Sequence, residues 1–188
     1  DLIITNNHVI LDASGIVIRT FAGEDFNAEL VGTDPVWDIA LLRSDRPMGS
    51  PSLTWGDSRN LNMKDGVFMI GHPANMGDWA LTAGVFVRST TNLLDLEDFG
   101  EVSEGDPGTR TTVETSVPAM SGASGSPLFN TNGEVIAVHF GSIGIEEHTD
   151  IGEIGSFSNP APHRIHSVPA VVTREWTNGS PAWKLQQL

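Results

Sequence analysis

The sequence predicts an all-β fold. Its apolar segments are short, and turn residues separate them at regular intervals, a pattern that favours barrels or sandwiches over a parallel sheet with crossover helices. At 188 residues and 39% hydrophobic, the chain can bury a real core in one or two small domains.

Taken in order, Leu2-Ile3-Ile4 forms a strand that ends in a turn at His8. Ile16 to Phe21 and Ala28 to Val31 follow, separated by the turn Gly23-Glu24-Asp25, and Ile39 to Leu42 makes the next strand. From Ser44 to Lys64 the residues Pro47, Gly49, Pro51, Gly56, Asp57, Ser58 and Asn60 mark an irregular connection between an N-terminal half, 1–43, and a C-terminal half, 65–168. Strands resume at Gly66 to Ile70 and Trp79 to Val87, with Gly71 to Asn75 as the turn between them. Asn92 to Gly108 is acidic and broken by glycine and proline, which reads as a solvated loop. Thr111 to Thr115 is a strand leading to a run of small residues centred on Ser124. Pro127 to Phe129 and Glu134 to Phe140 form a hairpin across Asn130-Thr131-Asn132-Gly133. In the segment 169–188, Val172 and Trp176 have helical spacing and predict a short C-terminal helix.

Charge and composition narrow the function. A formal net charge of −14 argues against nucleic acid or an anionic membrane surface as partner, since both require clustered Lys and Arg. No apolar run reaches membrane-spanning length. The chain has no cysteine, so no disulfide supports the fold. The first residues are strand-like and not a basic segment followed by an apolar one, so any targeting segment is expected to lie outside this sequence.

The chemistry centres on Ser121-Gly122-Ala123-Ser124-Gly125-Ser126. Only small residues let a backbone turn tightly enough to aim N–H groups into an open cavity. A serine there needs a base within hydrogen-bond reach and a third group to hold that base. Upstream, Thr5-Asn6-Asn7-His8-Val9-Ile10 offers the histidine and Trp37-Asp38-Ile39-Ala40-Leu41-Leu42 the aspartate. Taken singly, Ser124 reads as a structural turn, His8 as a satisfied buried histidine and Asp38 as a turn or cap residue. The order His8, Asp38, Ser124 makes the three together a candidate triad, and it is not the serine, acid, histidine order of an α/β-hydrolase. The remaining histidines His72, His148, His163 and His166 read as structural. His163 and His166 with Glu146 or Glu147 lack the helical or paired-cysteine spacing of a zinc site, so neither metal nor cofactor is expected.

These three segments resemble the histidine, aspartate and serine boxes of the trypsin-like (chymotrypsin-fold) serine endopeptidases. Asn6-Asn7-His8-Val9, Phe26 to Pro35 and Asp38 to Leu42 look like the HtrA (DegP-type) branch. Ser124-Gly125-Ser126-Pro127 and Glu134 to Gly141 look more like the bacterial glutamyl-endopeptidase branch. The resemblance implies two antiparallel six-stranded β-barrels with the site in the cleft between them. Residues 1–43 are too few for six strands, so the first barrel is expected to lack the hairpin that precedes the histidine strand.

The resemblance also implies the roles. Ser124 would attack a peptide carbonyl as His8 takes its proton, Asp38 would hold the imidazole, and the N–H groups of Gly122 and Ser124 would form the oxyanion hole. Ser121, His139 and Ser142 fall where a glutamate pocket is lined, which requires the strand to bend near Gly141 to bring 139 and 142 to one face. Ala123 stands where zymogen-activated relatives carry an aspartate, so that activation ion pair is absent. The expected substrate is a protein or peptide, with an expected preference for cleavage after glutamate, and the expected setting is secreted or periplasmic. The rival reading is a catalytically silent protease-fold scaffold whose groove holds a peptide without cutting it.

Overall fold

The computed structural model describes residues 1–35, 37–74, 77–92, 110–119, 121–144 and 163–169. The elements in chain order are β1 (Leu2–Thr5), a one-turn helix α1 (Asn7–Ile10), β2 (Ile16–Arg19), β3 (Asp25–Asp34) and β4 (Ile39–Ser44). They are followed by β5 (Gly66–Gly71), β6 (Ala80–Asn92), β7 (Arg110–Thr115), β8 (Pro127–Asn130), β9 (Val135–Gly144) and β10 (His163–Pro169). The connection from β4 to β5 carries a single 3-10 turn at Ser58–Asn60.

The first four strands form an antiparallel sheet in the order β1-β4-β3-β2. Its central strand β4 reads Ile-Ala-Leu-Leu from Ile39, and all four residues are buried. Such a continuous apolar run fits a strand covered on both faces. Ile39 and Leu41 pack with Phe140 of β9, so the first sheet leans directly on the second half of the molecule. Each of these side chains gains about 1.5–3 kcal/mol by leaving water.

The other six strands close into a barrel in the order β10-β7-β6-β5-β8-β9. Alternation along β5 sends Val67 and Met69 inward to meet Val113, Leu128 and Ile136. The fold is therefore nearly all-β: the second unit is the expected six-stranded barrel, and the first is an open four-stranded sheet in place of a second six-stranded barrel.

Several boundaries differ from the sequence expectation for physical reasons. The turn expected at His8 is the helical turn α1, too short to leave a periodic signature. Residues 163–169 carry mostly polar side chains and predict no strand, yet β10 pairs with both β7 and β9. Without it those two strands would present bare edges. β6 runs on to Asn92, past a bulge between Phe86 and Arg88, and so takes in the first residue of the expected acidic loop. The rest of that loop, 93–108, lies outside the described residues, as does the expected C-terminal helix beyond Pro169.

Candidate active site

The site starts with α1. Asn6 precedes the helix in extended conformation, and its side chain makes no cap hydrogen bond. Its amide is committed elsewhere: Asn6 is fully buried, and its Nδ2 donates to the main-chain oxygen of Asp38 at 2.9 Å. The Asn7 N–H donates to the same oxygen at 3.2 Å. Asp38 is held by these bonds in the left-handed region at φ 52°, a conformation aspartate tolerates better than most residues.

That backbone position aims the Asp38 carboxylate at His8. Oδ1 accepts from the His8 main-chain N–H at 2.9 Å, and Oδ2 lies 2.6 Å from His8 Nδ1. The imidazole is therefore fixed both through its own backbone and through its ring. Asp38 is buried, which strengthens the interaction by excluding water. The hydrogen bond to Asp38 raises the His8 pKa above the ordinary 6.5, burial of the ring opposes this, and the carboxylate charge adds to the rise. With Nδ1 donating to the carboxylate, Nε2 is the nitrogen left to exchange a proton.

Ser124 sits in a turn flanked by two glycines of positive φ, Gly122 at 93° and Gly125 at 83°. Ala123 between them is fully buried, and Ser124 is half-buried. The turn is pinned to β9 by Gly125 N–H to His139 O and His139 N–H to Ser126 O, both at 2.9 Å. On its other side, the Ala74 N–H donates to Ser121 O at 2.7 Å. A side chain at Gly122 would come within 2.7 Å of His72 O, and one at Gly125 within 2.5 Å of Thr5 Oγ1. Glycine is thus required at both positions by conformation and by space. Among the described residues, no oxygen accepts the N–H of Gly122 or of Ser124. Two donors without partners at this turn are what an oxyanion would need.

The structure joins His8 to Asp38 but does not join Ser124 to the pair: among the described residues, Ser124 Oγ makes no hydrogen bond. The close link between the halves is Thr5 of β1, which touches Gly125 and, with Ser124, lines a cleft of about 630 Å³. Catalytic hydrogen bonds are commonly long in a ligand-free enzyme and tighten when substrate binds.

Of the residues expected to line a glutamate pocket, the side chain of Ser142 lies outside the described residues. Ser121 is exposed, His139 is buried within the barrel, and neither lines the cleft. The strand does bend as the spacing required. Between β9 and β10 the register shifts, with His166 opposite Gly141 and Ser167 opposite His139, so Phe140 is the extra residue of a bulge. Positions 139 and 142 then pair with Ser167 and Ile165, two apart on one strand.

Two parts of the site escaped the sequence reading. Asn6 was visible as part of the histidine segment, but its clamp on Asp38 depends on a contact across the sheet. The cleft wall built by Phe21 and Trp79, whose rings meet edge to face at 5.5 Å, joins two turns distant in the chain. Among the described residues, no cluster of acidic, histidine or cysteine side chains is arranged to hold a metal.

With this geometry in hand, comparison with known proteins is informative. The profile of the trypsin-like peptidase domain matches residues 1–138. A probable periplasmic serine endoprotease DegP-like from Pseudomonas putida (strain W619) is 35% identical over 137 residues, covering 73% of this chain and 26% of the relative. The periplasmic pH-dependent serine endoprotease DegQ of Escherichia coli (strain K12) is 34% identical over 153 residues, covering 76% of this chain and 30% of the relative. The chain thus spans between a quarter and a third of the length of these relatives. Among solved structures, the HtrA-type protease AlgW with tripeptide superposes with a TM-score of 0.69 at 24% identity, covering 94% of this chain and 51% of that one, a likeness of fold. The extent of the profile match, taken with the fold, places this chain in the family of trypsin-like peptidase domains.

Proposed function

We propose that this chain is the peptidase domain of a serine endopeptidase, with Ser124 as nucleophile, His8 as base and Asp38 as the group that orients it. The observation that carries this reading is the two-point grip of the Asp38 carboxylate on His8, through Nδ1 at 2.6 Å and through the main-chain N–H at 2.9 Å. A carboxylate so placed selects the tautomer that leaves Nε2 to take the serine proton and stabilises the imidazolium that results. Ser124 Oγ then attacks the carbonyl carbon, and the N–H groups of Gly122 and Ser124 receive the oxyanion. His8 returns its proton to the leaving amine, and water repeats the sequence on the acyl-enzyme.

The substrates in this reading are proteins or peptides. Support comes from relatives named serine endoproteases and from structural neighbours described with a bound tripeptide or decapeptide. A periplasmic or secreted setting follows the naming of the same relatives. Cleavage after glutamate, with Ser121, His139 and Ser142 as the recognition set, is the finer form of the proposal. Its support is the resemblance of the Glu134–Gly141 segment and the bulge at Phe140. A silent peptide-binding scaffold is the second reading, favoured by the absence of a hydrogen bond from Ser124 Oγ among the described residues.

A fluorophosphonate probe separates the two. The active-enzyme reading expects modification at Ser124, mapped by mass spectrometry, that disappears in Ser124→Ala and in His8→Ala. Folded protein that is not labelled leaves the scaffold reading standing. Labelled enzyme can then be offered peptide libraries, in which cleavage without a glutamate bias removes the finer proposal.

A further inference from the structure

We propose that the aromatic groove beside Ser124, formed by Phe21, Trp79 and His72, receives the leaving-group half of the substrate and selects a large apolar, non-acidic side chain there. The inference rests on the serine endopeptidase reading above and adds to it a determinant of specificity.

Position is the first argument. A peptide drawn across Ser124 has two halves, one retained as the acyl group and one released as the amine. The cleft that contains Ser124 and Gly122 is lined by Phe21, Trp79 and His72, and by neither Ser121 nor His139. Since the proposed function gives those two to reading the acyl half, the aromatic side of the cleft falls to the other half.

Shape and chemistry are the second. Phe21 stands on the turn between β2 and β3, and its ring meets that of Trp79 edge to face at 5.5 Å. Trp79 in turn meets the His72 ring edge to face at 4.5 Å. The three rings therefore make one continuous aromatic wall, apolar at Phe21 and Trp79, that bridges the first sheet and the second barrel. Phe21 is nonetheless 80% exposed, and Trp79 38%. Aromatic rings left in water beside a nucleophile offer burial to whatever binds there. Trp79 also holds φ at 60°, an unfavourable backbone for a bulky residue, which here keeps its ring between Phe21 and His72.

Charge decides what is rejected. Asp78 is hydrogen-bonded to the lining residue His72 at 3.3 Å, and Arg19, which feels the Asp78 charge, is held by Asp25 through two contacts of 2.7 Å. No Lys or Arg is among the described residues that line the groove, and an acidic side chain entering it would meet the Asp78 carboxylate beside His72 in place of a cation.

The test uses internally quenched peptides that share one acyl half and carry Phe, Leu, Gly or Asp immediately after the scissile bond, with fluorophosphonate labelling of Ser124 to count competent sites in every variant. The expected kcat/KM for Phe and Leu exceeds that for Gly about ten-fold, and Asp is the poorest. Phe21→Ala and Trp79→Ala should each collapse most of the Phe-to-Gly ratio, Trp79→Phe should retain it in part, and Leu53→Ser, on exposed surface outside the cleft, should leave it unchanged. Enzyme that labels normally but shows no such ratio, or keeps it in Phe21→Ala and Trp79→Ala, overturns this inference alone. Folded enzyme that never labels at Ser124 overturns the peptidase reading and this inference with it.

Discussion

Replacing Gly125 with alanine probes the contact that brings the serine turn against the histidine strand. Two costs follow from the structure. Gly125 holds φ at 83°, where an L side chain costs about 1–2 kcal/mol. The new Cβ would also lie 2.5 Å from Thr5 Oγ1, although Thr5 Cα and Cβ, both at 3.5 Å, are in ordinary contact. Only the hydroxyl must move, and turning Thr5 out of its preferred rotamer adds about 0.5–1.5 kcal/mol. The expected destabilisation is thus about 1.5–3.5 kcal/mol. Thr5→Ala in the same chain should recover the hydroxyl part and leave the backbone part, which a double-mutant cycle in urea unfolding separates. Because Thr5 lies three residues before His8, a shift here also moves the base relative to Ser124, and a misplacement near 1 Å lowers turnover about 100-fold. Gly125→Ala that unfolds within about 0.5 kcal/mol of the parent and labels at the parental rate would refute the view that this close approach sets the site.

Two further outcomes concern His8. Asp38→Asn should retain the fold, since asparagine also accepts a left-handed backbone, yet slow labelling of Ser124 on the order of 10⁴-fold through loss of the correct tautomer. The same change should lower the His8 pKa, read from the imidazole proton signals in NMR, because the Asp38 hydrogen bond is the main cause of its elevation. For the parent enzyme, labelling should rise with pH as His8 loses its proton, with an inflection above 6.5. Stability runs the other way. A raised folded-state pKa contributes stability that is fully present below 6.5 and is lost as pH rises through the folded value, so denaturant midpoints should fall across the window in which activity appears. An inflection at or below 6.5 would contradict the Asp38–His8 coupling.

The parts of this molecule that could be read in advance are those whose signal is local. Ile39 to Leu42 announces a strand, and Asn130 to Gly133 a hairpin, because each depends on neighbours in the chain. β10 escaped because its strand character comes from pairing with β7 and β9 rather than from its own residues. The chain order of His8, Asp38 and Ser124 was legible for the same reason that a motif is: each residue sits in a recognisable segment. The Asn6 clamp and the Phe21–Trp79 wall were not, since each exists only once separate strands or turns have been brought together. The loss of alternation around Phe140 could be inferred as a requirement, but its form as a bulge needed the register with β10.

The backbone and the side chain of Asp38 pull in opposite directions. A residue other than glycine at φ 52° carries roughly 1–2 kcal/mol of conformational cost that glycine would not. Glycine at position 38 would relieve that cost but forfeit both hydrogen bonds to His8, each worth about 1.5–3 kcal/mol to a charged group. The uncomfortable backbone is thus held in place by the same carboxylate that orients the base, so stability and orientation of the base rest on one side chain.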